Sequence, residues 1–330
     1  MMKTPLVTRP TLSKRAVAGI FAVFTLVAGN SMAAEPAAAG DSYAKTTPWG
    51  DPDLQGIWSY ASLTPLQRPT RLGNQEFYSP QEAAAINAQS LEEPQDRPGD
   101  PGSYNVEWFD KGAVSTDLRT SLIVDPPDGR LPLRPGVNEQ LARESAYRRA
   151  RETDSWEYRT NWDRCITYHG VPPISTGYNN TYQIVQAPGY VAIYVEMIHD
   201  VRIIPLDSRP QLNEKIRQWN GDSRGYWEGN TLVVETTNFS DQTQHRFPSS
   251  PSTRAVERFT RVGEDMIDYQ FTIEDPDLYT QAWTAVRPMP RQADYTVFEY
   301  ACHEGNYAMT NILRGARVME QREREASASN

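Results

Sequence analysis

Hydrophobic and polar positions alternate most regularly between residues 182 and 238. From Tyr190 onward every second side chain is apolar, namely Val191, Ile193, Val195 and Met197. This period of two is typical of a β-strand with one buried face. Turn residues precede it at Pro188-Gly189, and residues 228–231 join two further apolar runs as in a β-hairpin. We therefore predict a β-rich domain built around this stretch.

Short segments with the same alternation occur elsewhere in the chain. The additional predicted strands lie at residues 52–58, 120–124, 256–262, 266–273, 281–286 and 295–302. Turn residues separate most of the later strands, and no helical period is interleaved between them, which disfavours a parallel sheet. The pattern predicts a mainly β protein whose antiparallel meander closes as an up-and-down barrel or packs as a sandwich.

Three segments have the character of helices. Ser79, Pro80 and Glu82 have the residue types and spacing of a capping box with proline at the first helical position. Residues 138–156 contain neither Gly nor Pro and are rich in helix formers, and residues 311–325 are charged and predicted to be helical. The predicted organisation is a Pro-rich, partly helical wrap at 51–160, a β-barrel domain at 161–310 and a charged C-terminal segment at 311–330.

The first 33 residues have the pattern of a secretory signal peptide. Basic residues between Lys3 and Arg15 precede an apolar run at 16–27, and Ser31-Met32-Ala33 offers a small-residue cleavage site. The run is too short to span a membrane, although an anchor that stays attached is the alternative. The expected location is the periplasm or the exterior of the cell, and residues 34–50 are predicted to be a flexible lead.

Charge narrows the range of partners. The 330-residue chain has a formal net charge of −9, and the predicted signal peptide contributes four basic and no acidic side chains, so cleavage makes the chain more acidic. An acidic protein is poorly suited to nucleic-acid phosphates or anionic lipid. We expect no nucleic-acid partner and no membrane insertion after cleavage, while the oligomeric state is not specified.

The chain has two cysteines, Cys165 and Cys302. Export exposes them to an oxidising compartment, so we predict that they form a disulfide. The alternative is that Cys302 is a nucleophile assisted by His303. That alternative is disfavoured because neighbouring residues on a strand point to opposite faces and an exported thiol tends to be oxidised.

Four motifs resemble those of a family of uncharacterised exported bacterial proteins. They are RTSLIVDPPDGR at 119–130, EMIHDVRIIPLD at 196–207, GDSRGYWEGNTLVVETTNF at 221–239 and YACHEGNY at 300–307. The resemblance covers nearly all of the chain after the signal peptide and implies export, but it carries no activity or catalytic residues. The meander also resembles lipocalin-type barrels, which implies a lipocalin-like barrel around a cavity for a small apolar molecule.

Several familiar catalytic motifs are absent from the sequence. There is no G-x-S-x-G elbow, no G-x-G-x-x-G, no phosphate loop, no H-E-x-x-H and no C-x-x-C. The four histidines are His169, His199, His245 and His303. A catalytic metal held by mixed histidine and carboxylate ligands is still an alternative if His199, Asp200, His303 and Glu304 lie on adjoining strands.

His199 is the strongest candidate for acid–base chemistry. If the strand runs straight through residues 190–203, His199 falls on the apolar inward face, while Glu196, Asp200 and Arg202 share the other face. A neutral histidine in an apolar cavity is suited to act as a base near pH 7. A turn or bulge at 198–200 would redirect all of these side chains, and a buried histidine bonded to backbone is the purely structural alternative.

We predict two sets of site residues. The catalytic candidates are His199, Asp200, Glu196, His303 and Glu304. The substrate-binding candidates are Tyr194, Arg202, Arg224, Trp227, Tyr269 and Tyr300. The arginines suit a clamp on a carboxylate or enolate, but ion pairs of Arg202, Arg224 and Arg258 with nearby glutamates are the favoured alternative.

These residues favour an exported, cofactor-independent enzyme with neither a metal nor an organic cofactor. The expected reaction is of the lyase, dehydratase or isomerase type, carried out by acid–base catalysis on a small apolar or aromatic metabolite. One alternative is a non-catalytic carrier of such a ligand, because a carrier needs the same cavity with fewer converging titratable groups. A metal-dependent hydrolase is the second alternative.

Overall fold

The computed structural model describes residue 43 and residues 45–91, 109–110, 112–168 and 170–329. The predicted signal peptide, most of the predicted flexible lead and His169 lie outside the described residues. Within the described residues, no helix has both the length and the apolar character needed to cross a bilayer.

The first sheet has four antiparallel strands in the order β1-β3-β4-β5. The strands are β1 (Gly56–Ser59), β3 (Thr181–Ala187), β4 (Tyr190–Val195) and β5 (Asp200–Pro205). Ser59 pairs with Thr181, Tyr182 with Val195, and Val195 with Asp200. One end of this sheet is therefore where β1 and β4 finish and where β3 and β5 begin.

The second sheet has six antiparallel strands in the order β2-β10-β9-β8-β7-β6. They are β2 (Ile123–Asp125), β6 (Asp222–Glu228), β7 (Thr231–Thr237), β8 (Arg254–Gly263), β9 (Met266–Glu274) and β10 (Trp283–Pro290). Strands β6 to β10 follow one another as the predicted meander. Strand β2 pairs with β10 only at Thr284 and Ala285, so Pro288 and Pro290 lie beyond its reach, where a residue without a backbone N–H is tolerated.

The larger of two hydrophobic core clusters among the described residues contains residues of both sheets. Strands β8, β9 and β10 alternate between buried and less buried positions along their length, as expected when one face of a sheet is covered. The largest fully buried side chains include Trp58, Tyr182, Tyr269 and Trp283. Large side chains thus fill the interior in which the lipocalin-like resemblance implies a ligand cavity.

The mainly antiparallel β prediction is confirmed, whereas barrel closure is not. The ladders formed by the described residues make two sheets, joined near one edge by an isolated bridge between Trp58 and Arg291. The closed, lipocalin-like barrel stays a prediction. Strands β1 and β2 come from the segment predicted as a wrap, so this segment contributes an edge strand to each sheet.

Three α-helices complete the described fold: α1 (Pro80–Ser90), α2 (Val137–Arg149) and α3 (Ala308–Ala328). The capping box of α1 is confirmed, because the Ser79 hydroxyl accepts from the Glu82 backbone N–H and the Glu82 carboxylate accepts from the Ser79 N–H. Helix α2 is shorter than predicted and ends at Arg149.

The strand predicted at 295–302 is wrong. These residues form a coil between β10 and α3. Their alternating aromatic and polar residues resemble a strand, but the backbone N–H of Phe298 donates to a side-chain carboxylate, that of Glu196. This coil is part of the functional site.

Candidate active site

A pocket of about 960 Å³ lies at the end of the four-stranded sheet where β3 begins and β4 ends. Its walls come from residues 109–110, 162–163 and 178–181, from Glu196, and from the coil that follows β10. We refer to residues 292–306 of this coil as the strap. The pocket is therefore outside the packed interior between the two sheets.

Glu196 is the most unusual side chain of this pocket, because it is a carboxylate with 0% exposure. The Tyr295 hydroxyl donates to Oε1 at 2.6 Å, and the Phe298 backbone N–H donates to the same oxygen at 3.2 Å. Oε2 is buried and has no hydrogen-bond partner among the described residues. One oxygen is thus fixed by the strap, and the other is buried without a hydrogen-bond partner among the described residues.

A tight turn after β4 determines where Glu196 and His199 point. The Glu196 backbone N–H still donates to Thr181 O at 3.1 Å, but Ile198 and His199 then adopt φ values of 61° and 49°. These left-handed conformations are uncommon for residues other than glycine. A straight strand through these residues is therefore wrong, and the alternative of a turn at 198–200 is confirmed. Met197 and Ile198 are buried, and His199 is exposed instead of facing an apolar cavity.

His199 contacts the strap and not the interior of the pocket. Its Nδ1 lies 2.8 Å from the backbone oxygen of Tyr300. Because a carbonyl oxygen only accepts, Nδ1 carries the hydrogen in this contact. The imidazole therefore holds Tyr300, a lining residue, in place. The structure gives His199 a positioning contact, and its predicted role as the main catalytic group stays a prediction.

The disulfide between Cys165 and Cys302 is confirmed. It ties the strap to the turn that includes Trp162 and Asp163, two other lining residues. Asn306 strengthens the junction by donating from Nδ2 to Cys302 O at 2.9 Å. Neither cysteine is free, so the alternative of a Cys302 nucleophile is wrong.

Asp110 is a second carboxylate of the pocket, and our sequence interpretation missed it. Its backbone N–H donates to Gly177 O at 2.7 Å, and Asn180 Nδ2 donates to its backbone O at 2.7 Å. Burial raises the pKa of the Asp110 carboxyl, and repulsion from Glu196 raises it further, while a backbone hydrogen bond from Asn180 partly offsets both effects. Asp110 follows a Pro- and Gly-rich stretch without periodicity, and no sequence signal marked it.

The other predicted catalytic residues do not line this pocket. The carboxylate of Asp200 is bonded to the Thr167 and Asn220 side chains, and burial raises its pKa. His303 and Glu304 are exposed on the strap. Across the part of the chain that the structure describes, no three His, Cys, Asp or Glu side chains are grouped to hold a metal ion. His199, Asp200, His303 and Glu304 therefore do not form the proposed ligand set.

Of the predicted substrate-binding residues, Tyr300 lines the pocket. Tyr194 is close enough to Glu196 for that carboxylate to add to the effect of burial in raising its pKa. Arg202 and Tyr269 lie in the core, where both contact Glu257. Of the remaining two predicted residues, Arg224 forms an ion pair with Asp222, and Trp227 packs against the core. Arg202 and Arg224 therefore both form ion pairs, as in the structural alternative.

No protein-family model matches the chain, and no curated protein matches it either. The resemblance to exported bacterial proteins therefore stays a prediction.

Proposed function

We propose that the protein is a cofactor-independent acid–base enzyme of the lyase, dehydratase or isomerase type, with Glu196 as its proton-transferring group. The observation that carries this proposal is the environment of Glu196. A fully buried carboxylate lines a pocket, has one oxygen fixed by Tyr295 and Phe298, and has its other oxygen without a partner among the described residues. Buried polar atoms normally have partners, and exceptions are often functional.

The proposed chemistry needs few groups. Glu196 Oε2 accepts a proton from the substrate, and the same carboxyl returns it to a neighbouring atom in an isomerisation or to a departing hydroxyl in a dehydration. Hydrogen bonds from Tyr295 and Phe298 keep Glu196 from rotating away. The strap forms one wall of the pocket, and the contacts from His199 and Cys165 hold the strap in place.

The substrate is a small molecule with an apolar or aromatic body. Aromatic side chains from separate segments line the pocket, including Phe109, Trp162 and Phe298, and such rings favour planar or apolar groups. A volume of about 960 Å³ suits a ligand of metabolite size. The site does not require a closed barrel, and barrel closure is a separate part of this proposal that the bridge between Trp58 and Arg291 supports.

We propose that the enzyme works in the periplasm or outside the cell. The signal-peptide pattern of residues 1–33 and the disulfide support this location, because stable disulfides are common in exported proteins and rare in the cytosol.

The test compares Glu196→Gln with Glu228→Gln. Glu228 forms an exposed ion pair with Arg258 and is a matched control for the loss of one carboxylate. Each purified protein is incubated in D₂O with a metabolite extract, and mass spectrometry measures deuterium incorporation and loss of water. The wild type and Glu228→Gln should convert the same compounds. Glu196→Gln should be slower by about a hundredfold or more while it stays folded, which circular dichroism checks.

Two outcomes contradict the proposal. Full activity of Glu196→Gln would show that Glu196 does not transfer the proton. Retention of a compound by the wild type without any conversion would favour the carrier alternative, in which the same pocket only binds.

A further inference from the structure

The pocket around Glu196 is both acidic and aromatic. Its carboxylates come from Asp110, Asp163, Glu196 and Glu299. Six lining residues have aromatic rings, namely Phe109, Trp162, Tyr178, Tyr295, Phe298 and Tyr300. Among the described residues that line it, none is Lys, Arg or His. The lining is therefore negative, and it contains aromatic rings, whose faces attract cations.

The nearby arginines are already engaged elsewhere. Arg159 Nη2 lies 3.0 Å from Asp163 Oδ2, so Asp163 has its counter-charge. Arg202, on the strand after Glu196, points into the core and pairs with Glu257. Glu196 is held by a tyrosine hydroxyl and a backbone N–H, and the hydrogen bond to the Asp110 carboxylate comes from a backbone N–H. Within the described part of the chain, neither carboxylate forms an ion pair.

Desolvation and repulsion from Glu196 both act against the ionised Asp110 carboxylate, which forms no ion pair among the described residues. An incoming cation removes part of this penalty, whereas an anionic ligand adds to it. A neutral polyhydroxylated ligand would hydrogen-bond to the carboxylates but would leave their charge uncompensated. The geometry therefore favours a positively charged ligand over a phosphate, a carboxylate or a sugar.

We propose that the substrate of this site is an organic cation, an ammonium group carried on an apolar or aromatic body. This inference rests on the proposed function and specifies its substrate class. Asp110 anchors the ammonium group while the aromatic rings surround its substituents, and Glu196 Oε2 faces the carbon from which the proton is taken. Aromatic residues combined with carboxylates are a general solution for binding ammonium ions.

The test uses two probes of equal shape that differ in charge. Choline and 3,3-dimethyl-1-butanol have the same branched skeleton, but only choline has a positive charge. Isothermal titration at pH 8 measures both affinities for the wild type, Asp110→Asn and the control Glu228→Gln. Methyl β-glucoside is titrated in parallel to represent neutral sugars.

We expect wild type and Glu228→Gln to bind choline at least tenfold more tightly than the neutral isostere. Asp110→Asn should lose most of this difference while binding the isostere as before. Equal affinity for the two isosteres, binding of the glucoside alone, or no binding of either isostere overturns the proposal.

The outcome is separable from that of the proposed function. A choline preference that depends on Asp110, together with full turnover by Glu196→Gln, would support the cation site and contradict the catalytic role. Turnover that depends on Glu196, with no preference for the cation, would support the catalytic role and contradict the cation site.

Discussion

Arg202 Nη2 lies 2.6 Å from Glu257 Oε2, and this buried ion pair joins β5 of the four-stranded sheet to β8 of the six-stranded sheet. Arg202 Nη1 donates to Oε1 at 3.2 Å, so the contact is bidentate. The Tyr269 hydroxyl also donates to Oε1, at 2.8 Å. The pair thus holds the two sheets in one relative position by directional contacts across an otherwise largely apolar core.

Replacement of Glu257 should strongly destabilise the fold. Glu257→Gln leaves the Arg202 guanidinium buried without a counter-ion, which typically costs about 3–5 kcal/mol. Urea unfolding measures the free-energy change. Glu228→Gln removes a carboxylate from a partly exposed pair with Arg258 and should cost no more than about 1 kcal/mol. Equal losses in the two variants would contradict a special role for the buried pair.

Acidification should weaken the fold through His245. Burial lowers the pKa of His245 to about 4, compared with about 6.5 in an unfolded chain. Between these values the unfolded state binds the proton more readily, so the His245 contribution to stability falls as the pH drops from about 6.5 to about 4.

The matched variant for this effect is His245→Phe. The imidazole stacks on Phe247 with ring centroids 5.0 Å apart, so a phenyl ring suits the site. Carboxylates also titrate at low pH, and the measured quantity is therefore the difference in melting temperature between wild type and variant. As the pH falls from about 6.5 to about 4, the melting temperature of the wild type should fall further than that of His245→Phe. A constant difference would show that His245 is not responsible.

Asp110→Asn should stabilise the free protein at neutral pH. The pKa of Asp110 is raised in the folded state by burial and by Glu196. The unfolded state therefore loses this proton more easily, and above the usual Asp pKa the ionised side chain opposes folding. Asparagine removes this penalty, so the melting temperature should rise at pH 7. The gain in melting temperature should disappear once the pH falls below the usual pKa of Asp, because Asp110 is then protonated in both the folded and the unfolded state.

Reduction of the disulfide should destabilise the protein and free the strap. Cys165 and Cys302 are separated by 137 residues, and the chain-entropy model assigns such a loop about 5 kcal/mol. The Cys165→Ser/Cys302→Ser double variant should unfold at lower urea concentration than the oxidised wild type. Its residues 292–306 should also exchange amide hydrogens faster. Unchanged exchange there would show that Glu196 and His199 hold the strap without the disulfide.

Local patterns were sufficient to predict much of the fold. The alternation at 256–262 and 266–273 predicted β8 and β9, because each strand buries one face and exposes the other. The Ser79 and Glu82 side chains predicted the start of α1, since a capping box involves neighbours along the chain. Such features depend on residues close in sequence, which the sequence shows directly.

The site could be predicted only in part, because distant segments assemble it. Glu196 was a candidate, but its partner Tyr295 is 99 residues away and Asp110 has no local signal. The apolar alternation continues through Met197, so the pattern favoured a straight strand. The left-handed conformations of Ile198 and His199 depend on tertiary contacts instead. At 295–302, the Phe298 N–H and the Tyr300 O contact the side chains of Glu196 and His199 and not a neighbouring strand.

The Cys165–Cys302 bond also changes how the molecule would respond to a mechanical load. Strands β3 to β10 all lie between the two cysteines, so a pulling force applied to the two ends of the chain bypasses them through the sulfur–sulfur bond. The 137-residue separation withholds about 450–490 Å of extended chain from stretching. Under tension, the oxidised protein would therefore lengthen only through the residues before Cys165 and after Cys302, which include β1 and β2, while the chain from β3 to β10 would not be extended.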